Sequence, residues 1–380
     1  MIYFDHNATA PMLPSARDAW LDAADRFIGN PSSPHRIGSR AEAAINEARQ
    51  NLAQHLGCDP LDLVWTSGAT ESNNMVLHHC RQTLDTGTEI WMSAIEHPCV
   101  LETAYRYFPK TVRLIPVAKS GAIDLDWLSD HLGRGLPGLV AVMAANNETG
   151  VLQPWETILQ MCHQAGVPFF CDAVQWLGRL PAKGLGSCDF LSGGAHKFGG
   201  PKGVGFLKCP SRGMLTPLLL GGKQEGRRRA GTENVPGIIS LSKALDYREE
   251  QLARNENQVL TTAKAEFEQT LLSVLPGTEI VGASTERLWN TVSVLMPEAD
   301  CQQRWVVKLD KLGFAVSTGS ACSSGQETPS HVLSAMGYGA KETSRVLRFS
   351  SGWETPAEQW QDLLEALKTI QASLAIPPLT

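Results

Sequence analysis

The chain has 380 residues, 43% of them hydrophobic and 19% charged, with a formal net charge of -6. That length suits two domains of ordinary size with a large buried interior, and the composition excludes a disordered or fibrous protein. The acidic balance gives no reason to expect nucleic-acid or membrane-surface binding, no apolar stretch is long enough to cross a bilayer, and Met1-Ile2-Tyr3-Phe4-Asp5-His6 lacks the basic-then-apolar order of a secretory leader.

Between about residues 40 and 210, helical stretches alternate with short apolar runs. The pattern predicts helices over 41–56, 71–84, 100–107, 125–132 and 155–165, and strands over 61–66, 89–93, 112–116, 139–144 and 167–171. Such alternation implies a mainly parallel sheet covered on both faces, with ligands gathering at the carboxyl ends of its strands. Residues 238–275, charged and free of proline and glycine, read as one long helical stretch linking two domains. Beyond it, strands near 278–281, 290–295 and 346–349 and helices over 302–312 and 356–374 predict a smaller α+β domain. No internal repeat or low-complexity segment is present.

Nine cysteines, an odd number without C-x-x-C pairs, argue against a disulfide framework and a structural zinc site and fit a reducing cytoplasm. Cys58, Cys80, Cys162, Cys188 and Cys209 lie in or beside apolar runs, where burial as small hydrophobes is the default.

The segment from Leu191 to Gly203 sets Lys197 in the middle of a glycine-dense turn, directly after His196. Glycines let a backbone approach a bulky phosphorylated cofactor closely, so Lys197 looks like a Schiff-base lysine for pyridoxal phosphate; a surface loop with solvated Lys197 and Lys202 is the plainer reading. Four other segments at predicted strand ends look chemically loaded. Thr66-Ser67-Gly68-Ala69-Thr70 runs from strand through turn into helix, where free N–H groups and the hydroxyls of Ser67 and Thr70 suit a phosphate or, equally, make a helix cap. Asp172 follows an apolar strand, where a carboxylate can keep a pyridine nitrogen protonated or simply cap the strand end. His97, in Glu96-His97-Pro98, can stack on a cofactor ring and shuttle protons, or serve the structure alone. The small polar run from Ser317 to Gly325 surrounds Cys322, which reads as an exposed, ionisable thiol or an incidental loop cysteine. The basic run Arg227-Arg228-Arg229, beside glycines, suggests a local anion site.

Together with Tyr3-Phe4-Asp5-His6-Asn7-Ala8-Thr9, Asn30-Pro31-Ser32-Ser33, Asn146-Asn147-Glu148-Thr149-Gly150 and Gly231-Thr232-Glu233-Asn234-Val235, these segments resemble, in family order and over nearly the whole chain, the cysteine desulfurases of the fold-type I, class V aminotransferase superfamily. The run Ser320-Ala321-Cys322-Ser323-Ser324-Gly325 looks like the group I branch, which supplies sulfur for iron-sulfur clusters and tRNA thiolation.

The resemblance implies a mainly parallel seven-stranded sheet in a large domain over 15–256 that binds pyridoxal 5'-phosphate. A smaller α+β domain, formed by 1–14 and 257–380, would carry the cysteine segment. By the same resemblance, Lys197 would hold the cofactor covalently, Asp172 would pair with the pyridinium, Gln175 would donate to the phenolic oxygen and His97 would stack on the ring. The amide of Ala69, with Thr70 and His196, would hold the phosphate, and Thr232 would reach the phosphate of a neighbouring subunit in a homodimer. Asn147, preferred over Asn146 by its spacing to Gln175, would fix the substrate carboxylate together with Arg348, whose planar fork matches that group. The implied activity is conversion of L-cysteine to L-alanine with a persulfide on Cys322, which a sulfur acceptor such as an iron-sulfur scaffold or relay protein then takes; no metal is implied.

One residue departs from the pattern. Gly194 stands where the family usually has a serine that binds the phosphate, at an expected cost of about 1 kcal/mol for one neutral hydrogen bond. Backbone N–H groups or Ser192 are the candidates to compensate.

Overall fold

A computed structural model describes residues 1–210, 215–298, 305–318 and 329–374. Its central feature is a seven-stranded sheet ordered Leu63–Thr66, Gly205–Lys208, Phe190–Gly194, Phe169–Asp172, Leu139–Ala141, Ile90–Ser93, Val112–Ile115. All neighbours pair in parallel except Gly205–Lys208, which runs antiparallel to both of its partners. Leu63–Thr66, Ile90–Ser93, Phe169–Asp172 and Phe190–Gly194 are buried along their whole length. That is why the first three read as apolar runs and not as alternation. Side chains of successive residues nonetheless divide between the faces: Trp65, Phe169 and Cys171 enter one core, and Val64 and Phe170 the other.

The strands Phe190–Gly194 and Gly205–Lys208 and the helix Pro14–Arg26 are not legible from periodicity. The first four residues of the glycine-dense segment belong to a strand, and the turn proper begins at Ala195. Glycine is required there by close approach, because a Cβ on Gly205 would lie 2.7 Å from the Cα of Gly68.

The stretch read as one helix is two, Val235–Ala253 and Asn257–Val274. Asn255 breaks it with φ +55°, a left-handed conformation that asparagine tolerates better than most residues. The first helix also begins earlier than its proline and glycine suggest, since Asn234 caps it by accepting from the N–H of Gly237 and Pro236 sits in the first turn.

A second sheet, ordered Ser317–Thr318, Val346–Ser350, Thr291–Leu295, Glu279–Ile280, is antiparallel throughout. The helices Asn257–Val274 and Glu358–Leu374 cover it, closing a core that includes Phe267, Leu271, Val292, Phe349, Trp360 and Leu363. The chain start joins this unit: Phe4 enters the same core, Ile2–Tyr3 pairs with Phe314–Ala315, and Asp5 bridges to Ser350. Among the described residues, no helix is long and apolar enough to cross a membrane.

Candidate active site

The carboxyl ends of the large sheet open into a cavity of about 520 Å³, closed on its far side by Arg348 from the second sheet and by Asn7–Thr9. Ala69, Thr70, His97, Asn147, Asp172, Gln175, His196 and Lys197 all line it. Thr232 does not; it borders a neighbouring cleft with Ser67, Gly203 and Arg229. Cys322 lies outside the described residues.

The helix Ala69–Thr83 starts at Gly68 without a side-chain cap, leaving first-turn N–H groups to face an anion. His196 stands nearby with Nδ1 3.2 Å from Oγ1 of Thr9. Burial, reinforced by Lys197, Lys202 and Arg179, depresses its pKa to about 4, so the ring is neutral at ordinary pH. A Cβ at Gly194 would be 3.7 Å from the amide nitrogen of Ala69, with room for a side chain beside these groups. Ser192 is fully buried and absent from the cavity wall, so it does not supply the missing hydroxyl; its Oγ has no partner among the described residues.

Asp172, 6% exposed, is fixed by two donors: Nδ2 of Asn73 at 2.8 Å on Oδ2 and the N–H of Val174 at 3.0 Å on Oδ1. Sequence reasoning missed Asn73, although its place four residues after Ala69 sets it on the same helix face. His97 caps the helix Pro98–Tyr107 by accepting from the N–H of Cys99 at Nδ1, which leaves Nε2 as the protonated nitrogen of the neutral ring. Burial lowers the His97 pKa, opposed by Asp172 and assisted by Lys197 and His331. Glu96, also missed, is 1% exposed, and burial followed by the charge of Asp172 pushes its pKa well above the ordinary range. Its carboxyl accepts from the N–H of Met143 at 2.7 Å, tying the segment after Ile90–Ser93 to the one after Leu139–Ala141.

Lys197 donates from Nζ to the carbonyls of Asn7 at 2.6 Å and Ala8 at 2.7 Å. Gln175 donates to the same Asn7 carbonyl at 3.0 Å, while its Oε1 is buried and unpartnered among the described residues. Arg348, 2% exposed, holds Asp5 at 2.7 Å and the carbonyl of Asn147 at 2.9 Å, and its Nε is likewise unpartnered among them. Of the adjacent asparagines, Asn147 reaches the cavity; Asn146 spends its Oδ1 on the N–H groups of Glu148 and Thr149. The arrangement joins an amine, a neutral imidazole, a buried carboxylate, an anion-binding helix end and a guanidinium. Among the described residues, no three His, Cys, Asp or Glu side chains converge as a metal site.

A family model described as aminotransferase class-V matches residues 2–363. A cysteine desulfurase of Nostoc sp. (strain PCC 7120) is 36% identical over 375 residues, covering 97% of this chain and 92% of that protein. Among solved structures, a NifS-like protein from Rickettsia africae superposes with a TM-score of 0.88 at 30% identity, over 98% of this chain and 99% of the other. A structure described as SspA in complex with cysteine gives 0.80 at 29% identity, over 92% and 98%.

Proposed function

The chain belongs to the aminotransferase class-V family, and from that membership we propose that it is a pyridoxal 5'-phosphate-dependent cysteine desulfurase, converting L-cysteine to L-alanine and leaving a persulfide on Cys322. The observation that carries the reading is the convergence of Lys197, Asp172, His97 and Arg348 on one cavity.

The donor set fits this cofactor. The open helix end at Ala69, the hydroxyl of Thr70 and His196 suit its phosphate, and Asp172 suits its ring nitrogen. Nε2 of Gln175 keeps one hydrogen for the phenolic oxygen after serving Asn7, and Lys197 is the amine that holds the aldehyde. When bound, pyridoxal phosphate supplies an electron sink for the substrate carbon.

The chain's own residues do the rest. Arg348 and Asn147 hold the substrate carboxylate, and the two donors on Asp172 keep its charge in place. Lys197, with its amine released, takes the Cα proton. The thiolate of Cys322 then attacks the substrate sulfur: a sulfur-sulfur bond forms, the Cβ–S bond breaks, and its electron pair stays with the substrate carbon, which takes up a proton to become the alanine methyl group. His97, carrying its proton on Nε2, is placed to exchange protons in the cavity.

In this reading the enzyme is a cytoplasmic homodimer, with Thr232 of each subunit serving the phosphate of the other, and its persulfide passes to a protein acceptor for iron-sulfur cluster assembly or tRNA thiolation. Adding L-cysteine to the cofactor-loaded protein tests the activity. Alanine and sulfide should appear in equal amounts under a thiol reductant, and Lys197→Ala should form neither and retain no cofactor after borohydride reduction. A loaded wild type that makes no alanine would refute the assignment.

A further inference from the structure

Asn7 has no role in the chemistry above, yet the groups that do have one meet on it. Its side chain is 1% exposed and belongs to a closed ring of hydrogen bonds. Nδ2 donates to Oγ1 of Thr291 at 2.9 Å, that hydroxyl donates to Oδ1 of Asn290 at 3.0 Å, and Nδ2 of Asn290 donates back to Oδ1 of Asn7 at 3.1 Å. The ring fixes the orientation of the Asn7 amide, because the Thr291 hydroxyl has given its one hydrogen to Asn290 and can only accept from Asn7. The second hydrogen of Nδ2 is thereby aimed at the carbonyl of Asn147, 3.2 Å away, and that carbonyl is the one Arg348 grips from its other side at 2.9 Å. The main chain of Asn7 holds other groups: its N–H donates to Oγ of Ser350 at 3.0 Å, and its carbonyl takes Nζ of Lys197 and Nε2 of Gln175.

We propose that Asn7 is a positioning residue for the reaction, its side-chain amide fixing the Asn147–Arg348 pair that binds the substrate carboxylate and its carbonyl fixing the amine that takes the Cα proton. One rigid residue thus sets the separation between the carboxylate-binding and proton-transferring ends of the site. Aspartate has the same shape but no hydrogen to give, and serine keeps one donor on a shorter arm. Both leave the main-chain carbonyl for Lys197 while releasing the carbonyl of Asn147.

The inference rests on the desulfurase reading, and steady-state kinetics of cofactor-loaded Asn7→Asp and Asn7→Ser with L-cysteine test it, with Thr291→Val as the companion variant. Thr291→Val removes the other acceptor of Nδ2, while Nδ2 of Asn290, anchored on the carbonyl of Ser351 at 3.0 Å, still holds Oδ1 of Asn7 and so keeps the remaining hydrogen on Asn147. The Asn7 variants should raise KM by about tenfold or more, the equivalent of a lost buried hydrogen bond, with a smaller change in kcat. Their dissociation constants for pyridoxal phosphate, read by absorbance, should stay within about twofold of wild type, as befits one displaced neutral contact away from the phosphate. Thr291→Val should lower the melting temperature and leave KM near the wild-type value. Unchanged KM in the folded Asn7 variants, or an equal rise in Thr291→Val, would overturn the proposal and show Asn7 to be a structural residue. A wild type inactive on cysteine would instead strike the desulfurase reading itself.

Discussion

Nη2 of Arg348 lies 2.7 Å from Oδ1 of Asp5, so the guanidinium read as the carboxylate receptor is already held by a carboxylate from the start of the chain. The arginine is 2% exposed and the aspartate 21%, so the pair is sheltered on one side only. Asp5→Asn keeps an acceptor but leaves the buried positive charge without its counterion. It should lower unfolding free energy by about 1–3 kcal/mol, less than the about 3–5 kcal/mol of a fully buried pair because Asp5 is partly exposed. Denaturant unfolding of the two proteins measures the difference, and coincident curves would mean that the pair contributes nothing.

Gly194 has φ -136° and ψ 123°, ordinary extended backbone, so no conformational demand calls for glycine. A Cβ placed there would meet only ordinary contacts near Ala69 and His196. Gly194→Ser should tighten pyridoxal phosphate by about five- to tenfold, the worth of one neutral hydrogen bond. Absorbance titration of cofactor into stripped protein gives the two dissociation constants; a weaker serine variant would mean that the hydroxyl points elsewhere.

Glu148, 5% exposed, lies beside the substrate-binding pair, and its Oε2 accepts from Oγ of Ser330 at 2.6 Å. Burial pushes its pKa up from 4.5 to about 7, with the Ser330 hydroxyl and Arg348 pulling the other way. The folded chain therefore keeps a proton there that the unfolded chain loses above about pH 4.5, so this stabilising contribution is complete below that pH and lost as pH rises through about 7. Unfolding free energy should decline across the interval in the wild type and decline less in Glu148→Gln, which has no proton to lose. Equal slopes would count against a neutral Glu148.

Cys322→Ala should retain the cofactor absorbance of the wild type but lose sulfide release from L-cysteine. Mass spectrometry of the wild type after exposure to L-cysteine should find one added sulfur, on Cys322. Full sulfide production by the alanine variant would remove the enzyme-bound persulfide from the scheme.

The strand-turn-helix start at Thr66–Ala69, the strand end at Asp172 and the glycines around Lys197 can be read along the chain because each is a local matter. Glycine backbone freedom, a missing helix cap and an apolar run ending in a carboxylate all act within a few residues. Strand existence is legible for the same reason where the run is long enough. Phe190–Gly194 and Gly205–Lys208 stay hidden because their glycines weigh toward turns, and only close approach across the sheet gives those glycines a purpose. The break in the long helical stretch is equally hidden, since the left-handed kink at Asn255 has no proline or glycine to announce it.

Residue types along the chain suffice to single out an amine, an acid and an imidazole as candidate reacting groups, and the family resemblance adds the arginine. Their mutual placement comes only with folding. Lys197 meets Asn7 across 190 positions, Asn147 meets it across 140, and Arg348 meets Asp5 across 343. No local preference encodes such pairs, because each partner is an ordinary carbonyl, amide or carboxylate until the two sheets pack and exclude the water that would otherwise satisfy it. That burial also decides how groups titrate: it makes His196 neutral and pushes the pKa of Glu96 up, outcomes set by surroundings drawn from distant parts of the chain.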